Sequence, residues 1–84
     1  MLNRRDEEAH LLQAHSHVAA ATARIAGQCL IIGRLRARGL DTSRAETCLR
    51  TMENTLSVLL AHKDLIEGIV AEMAPASPLR NRAR

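Results

Sequence analysis

Apolar residues recur along the chain at alternating steps of four and three, the spacing that places side chains on one face of an α-helix. Two such series are present, and the segment RGLDTSRAE interrupts the pattern between them. The sequence therefore predicts a first helix at about residues 4–38, a turn at 39–42 and a second helix at about 43–73.

Residues with helix-capping chemistry mark the ends of both predicted helices. Asn3 precedes a carboxylate-rich first turn, and its side chain can accept hydrogen bonds from free backbone N–H groups. Gly39 suits the left-handed conformation that often follows a helix C-terminus. Ser43 and Glu46 have the spacing of a capping box at the start of the second helix. Pro75 disfavours helical geometry at the residue before it, so the second helix is expected to end there.

The charges divide the chain into a neutral hairpin and a basic tail. The hairpin is expected to occupy residues 1–74, and residues 75–84 are predicted to form a disordered tail. All nine acidic side chains and nine of the twelve basic ones precede the tail, so the net charge of +3 comes from its three arginines. The hairpin thus lacks the overall basic excess that is typical of a phosphate-binding domain.

Two antiparallel helices of this kind are expected to meet along one seam. In the predicted register the paired residue numbers keep a constant sum, as two straight antiparallel helices require. Like residues then meet in a histidine layer, a threonine layer and a cysteine layer. The predicted seam consists of Leu11, His15, Val18, Thr22, Ile25, Cys29 and Ile32 on the first helix and Ala45, Cys48, Met52, Thr55, Leu59, His62 and Ile66 on the second.

The apolar surface of the predicted helices is broader than one seam can cover. Exposed apolar surface on this scale marks an interface, and a chain of 84 residues forms only a marginal core without added support. The sequence therefore predicts an all-α antiparallel two-helix hairpin that dimerises into a four-helix bundle. The oligomer interface candidates form a stripe of mostly small residues on the first helix: Leu12, Ala19, Ala23, Ala26, Leu30 and Gly33.

Three of the four histidines lie in the segment HLLQAHSH, which raises the question of a metal site. A helical zinc site needs ligands at i and i+4 on one face, usually with carboxylate support. The spacings of five and two among His10, His15 and His17 do not supply such a pair. We therefore expect the seam histidines to form a hydrogen-bonded polar layer, with no metal or other cofactor. A metal-binding helical bundle that uses the seam histidines remains an alternative.

The two cysteines, Cys29 and Cys48, are expected to be reduced and buried as small apolar residues. The start of the chain has no apolar run behind its arginines, and the most apolar stretch is short and interrupted by a glutamine. These features predict neither a signal peptide nor a membrane span. The expected location is the cytoplasm, without a membrane partner.

The sequence contains neither a glycine-rich phosphate loop nor a nucleophile motif, so no enzyme activity is expected. It also lacks the aromatic rings that stack on unpaired bases. The predicted function is a homo-oligomeric interaction or regulatory module, with a second copy and an unidentified protein as candidate partners. Nucleic-acid binding by arginines near the turn or in the tail is the alternative. The candidate contacts are Arg34, Arg36, Arg38, Arg44, Arg80, Arg82 and Arg84.

Overall fold

The computed structural model describes residues 3–73, which form an antiparallel hairpin of two packed helices. Helix α1 spans Arg4–Ala37 and helix α2 spans Ser43–Met73. The predicted all-α hairpin is confirmed, and no strand occurs among the described residues. The predicted disordered tail and its arginines lie outside this range.

Helix α1 begins at the cap that the sequence predicts. Asn3 has extended backbone geometry, with φ −126° and ψ 128°. Its side-chain oxygen accepts hydrogen bonds from the backbone N–H groups of Arg5 at 2.9 Å and Asp6 at 3.4 Å. Asp6 and Glu7 lie in the first turn, where carboxylates interact favourably with the positive end of the helix dipole.

Helix α1 ends in a left-handed glycine turn, one residue earlier than predicted. Gly39 has φ +70°, a conformation that a residue with a Cβ atom adopts only with strain. The N–H of Leu40 donates to the carbonyl of Leu35 at 2.9 Å, and that of Gly39 donates to Arg36 at 3.0 Å. These two bonds form a Schellman motif, which satisfies carbonyls that the helix would otherwise leave free.

Helix α2 begins at a cap that differs in detail from the predicted one. The Asp41 carboxylate accepts hydrogen bonds from the Ser43 hydroxyl at 2.6 Å and the Ser43 backbone N–H at 3.1 Å. These bonds lower the pKa of the Asp41 carboxyl below its ordinary value. Glu46 receives a hydrogen bond from the Thr42 hydroxyl, so Thr42 rather than Ser43 pairs with it.

The two helices meet along a seam in which side chains recur at alternating steps of three and four. Among residues 3–73, four apolar residues are fully buried, and two of them are alanines. The buried and half-buried seam positions on α1 are Glu7, Leu11, Ala14, Val18, Ala21, Ile25, Gln28, Ile32 and Leu35. Those on α2 are Ala45, Leu49, Met52, Leu56, Leu59, Lys63, Ile66, Val70 and Met73.

At every second predicted layer, the predicted residue of each helix is exposed and the residue next to it in the sequence lies in the seam instead. Leu49 and Leu56 are half-buried where Cys48 and Thr55 were expected. Leucine removes more apolar area from water than cysteine or threonine, which favours this rotation of the helix. No histidine, threonine or cysteine layer forms in the seam. The six predicted seam residues that are exposed are His15, Thr22, Cys29, Cys48, Thr55 and His62.

Candidate association surface

The hairpin has two long sides that differ in charge. One side, here called the carboxylate side, has Glu46, Glu53 and Glu67 on α2, at intervals of seven and fourteen residues. There the Arg36 guanidinium lies 3.4 Å from the Glu46 carboxylate, and the His15 Nε2 atom lies 3.8 Å from that of Glu67. The opposite side, here called the groove side, contains two grooves between the helices.

The first groove lies toward the chain termini and has a volume of about 350 Å³. Its deepest polar group is the carboxylate of Glu7, a residue that is 7% exposed and lies 3.5 Å from His10 Nδ1. Three imidazoles therefore border a mostly apolar groove around one buried carboxylate. The lining residues are Glu7, His10, Gln13, Ala14, His17, His62, Leu65, Ile66 and Ile69.

The second groove continues toward the turn and has a volume of about 210 Å³. Arg24 is its single permanently charged lining residue, so the middle of the groove side is nearly free of formal charge. The lining residues are Ala21, Arg24, Cys48, Thr51, Met52 and Thr55.

Large apolar side chains remain exposed on both helices. Val58 and Leu65 are 68% and 63% exposed, and their spacing of seven places them on one face of α2. Leu65 also lines the first groove. On α1, Leu12 and Leu30 are 72% and 62% exposed. Within the single chain, these residues are in contact with water.

The six oligomer interface candidates from the sequence all lie on exposed positions of α1. An added Cβ atom at Gly33 would meet no atom within 4 Å, so no neighbouring segment approaches the stripe there. The stripe faces away from α2, whereas Val58 and Leu65 border the groove side. The interface candidates predicted from the sequence do not include Val58 or Leu65.

The histidines and cysteines do not assemble into a site within the chain. His62 lines the groove side, whereas His15 contacts Glu67 on the carboxylate side. Among residues 3–73, no group of three or more histidine, cysteine or acidic side chains has the arrangement of a metal site. Cys29 and Cys48 are both free and exposed, rather than buried as predicted.

Lys63 occupies a seam position and is stabilised there by carboxylates of its own helix. Its side chain is 17% exposed, and its Nζ atom lies 3.3 Å from Glu67 and 3.5 Å from Asp64. The hydrogen bond with Glu67 raises the pKa of the Lys63 ammonium above its ordinary value. The methylene stem of Lys63 can therefore cover the seam while its charge remains paired.

Four candidate nucleic-acid contacts lie near the turn, and Arg36 is paired with Glu46 across it. Arg34, Arg38 and Arg44 are exposed. The other three candidates, Arg80, Arg82 and Arg84, lie outside the described residues.

By length and composition alone, α1 is also apolar enough to cross a membrane. A core helix of a soluble protein and a signal sequence near an N-terminus meet the same criterion. Only 17% of the most apolar 18-residue stretch of α1 is buried in the single chain, so most of its surface has no protein neighbour among the described residues.

No family model, curated protein or solved structure matches this chain.

Proposed function

We propose that this chain is a helical-hairpin association module, which pairs with a second copy and acts through protein contacts rather than by catalysis. The observation that carries the proposal is the exposure of large apolar residues on both helices. Val58, Leu65, Leu12 and Leu30 are each more than 60% exposed, whereas four small or medium apolar residues are buried. A core of this size is marginal for a single chain.

Association would supply the burial that the hairpin lacks. Complete burial of a valine or leucine side chain contributes about 1.5–3 kcal/mol, before the entropy of association is subtracted. A second hairpin has the length of the first and the same periodicity, so its helices can lie along the exposed face from end to end. Two hairpins packed in this way form a four-helix bundle, the architecture in which helices with broad apolar faces are covered.

Sedimentation equilibrium of the full chain tests this proposal. We expect a mass of about twice the 9.2 kDa of one chain at micromolar concentration. A cooperatively folded monomer would contradict the proposal. Recruitment to lipid vesicles, with a monomer in their absence, would instead favour a membrane partner for the apolar surface of α1.

Nucleic-acid binding is a second candidate, favoured by the gathering of arginines near the turn. Binding to duplex RNA or DNA through these side chains would weaken steeply as the salt concentration rises, because counterions are released. Replacement of Arg34 and Arg44 by glutamine should then reduce both the affinity and the salt dependence. No binding at low salt would exclude this candidate.

A further inference from the structure

The charges of the hairpin are segregated along its length. Contacts between the helices set the levels, because Glu67 lies beside His15 and Ala45 lies beside Gln28. The end that contains the chain termini, here called the open end, comprises residues 3–15 and 62–73. The end that contains the turn, here called the loop end, comprises residues 27–50.

The open end is acidic and the loop end is basic by the same amount. The open end has three basic and six acidic side chains, a net charge of −3, and the loop end has five basic and two acidic ones, a net charge of +3. The middle contributes Arg24 and Glu53, which cancel. The open-end charges are Arg4, Arg5, Asp6, Glu7, Glu8, Lys63, Asp64, Glu67 and Glu72. The loop-end charges are Arg34, Arg36, Arg38, Asp41, Arg44, Glu46 and Arg50.

The groove side is the face on which a second hairpin meets the least charge. On the carboxylate side, a partner would have to cover Glu46, Glu53 and Glu67, and burial of unpaired charges is costly. On the groove side, the charged residues that line the two grooves are Glu7 toward the termini and Arg24 in the middle. Val58 and Leu65 add exposed apolar area there.

We propose that a second copy of this chain docks on the groove side with its turn at the opposite end, so that each loop end lies against the partner's open end. This inference rests on the proposed dimerisation and adds its face and orientation. Counted over residues 3–73, a charge of +3 meets a charge of −3 at both ends of the bundle in this antiparallel arrangement. The three tail arginines follow the open end in the sequence and are not part of this count. In a parallel arrangement like charges meet at both ends, and such juxtaposition selects against a wrong orientation.

The level of each contact follows from helix geometry. Helix α1 has 34 residues, and its midpoint falls between Ala20 and Ala21. A two-fold axis at this midpoint places Asp6 and Glu72 at the same height along the bundle as the partner's Arg34 and Arg44. Exposed charges interact over about 8 Å at physiological salt, so charges that share a level on facing surfaces favour this orientation.

Reversal of one charge pair tests the electrostatic part of the proposal. Arg44→Glu places a carboxylate opposite the partner's acidic open end and should weaken dimerisation at low salt. Glu72→Arg in the same chain should restore it, because both contacts then exist with inverted signs. If the double variant is weaker than Arg44→Glu alone, the pairing of these two ends is wrong.

Distances between spin labels, measured by pulsed electron paramagnetic resonance, test the orientation directly. The labels are attached to the full chain with Cys29→Ser and Cys48→Ser, at Ala9→Cys in one sample and at Ala20→Cys in the other. Both labelled positions are exposed, so the seam is undisturbed. At about 1.5 Å per residue, the two Ala9 levels lie about 35 Å apart along the axis of an antiparallel dimer.

Ala20 serves as the control, because it lies near the two-fold axis and its two copies should be close in either arrangement. The predicted result is a long distance for the Ala9 label and a short one for the Ala20 label. Short distances for both would overturn the antiparallel orientation while leaving the dimer intact. No distance between chains for either label would show that the chain does not dimerise. Arg80→Gln, Arg82→Gln and Arg84→Gln together remove the tail charge, and the distances should remain unchanged.

Discussion

The Gln28 side chain of α1 donates a hydrogen bond from its Nε2 atom to the backbone carbonyl of Ala45 on α2, at 2.9 Å. This bond joins the two helices near the turn at a half-buried position. It constrains the relative level of the two helices near the turn.

Loss of this bond should destabilise the hairpin. Gln28→Ala is expected to lower the free energy of unfolding by about 0.5–1.5 kcal/mol, the usual net contribution of such a bond. Gln28→Glu keeps the size of the side chain but lacks the N–H donor, so it should lose at least as much stability. Chemical denaturation at one chain concentration measures both. Wild-type stability in both variants would show that the bond contributes nothing.

The sequence predicts the ends of the helices well, because the chemistry of the caps is local. Asn3 and Gly39 satisfy backbone groups within a few residues of their own position, so no distant contact is needed to predict their roles. Eight of the fourteen predicted seam residues, including Leu11 and Val18, are buried or half-buried. The other six were predicted by pairing like residues across the seam. The fold instead buries residues such as Leu49, which has a larger apolar area than Cys48.

The candidate surface was predicted only in outline, for a related reason. Periodicity shows that Val58 and Leu65 share a face of α2, but the side on which the hairpin leaves them depends on how far each helix rotates about its axis. The charge separation between the two ends needs only the position of the turn, which the sequence gives through Gly39. The structure adds which residues of the two helices share a level, and the charge of each end can then be counted.

The cap at Asp41 should make a pH-dependent contribution to stability. Because hydrogen bonds from Ser43 lower the pKa of Asp41 in the folded chain, this contribution is present above the unfolded value of about 3.9. It is lost as the pH falls through the lower folded value.

Asp41→Ala should therefore be less stable than wild type near neutral pH, with a smaller difference in strong acid. Asp41→Asn keeps an acceptor without this titration, and its stability should vary less with pH over that range. Urea denaturation at each pH provides the comparison, and an equal loss at all pH values would contradict this role.

The groove side can be distinguished from the stripe on α1 by a pair of matched substitutions. Leu65→Ser should raise the dimer dissociation constant about tenfold or more, because it removes a side chain that the partner would bury. Leu12→Ser is the control: Leu12 is 72% exposed and Leu65 is 63% exposed, but Leu12 lies on the stripe of α1. Sedimentation equilibrium should show a weaker dimer for Leu65→Ser alone. The reverse order would place the interface on the stripe instead.

The dependence of unfolding on chain concentration tests most directly whether association completes this fold. Thermal unfolding of the full chain, followed by circular dichroism, would be compared over about a hundredfold range of concentration. If the hairpin is stable mainly as a dimer, the melting temperature should rise steadily with concentration, because mass action favours the paired state. A cooperative transition at the same temperature throughout, together with a monomer mass, would contradict the account.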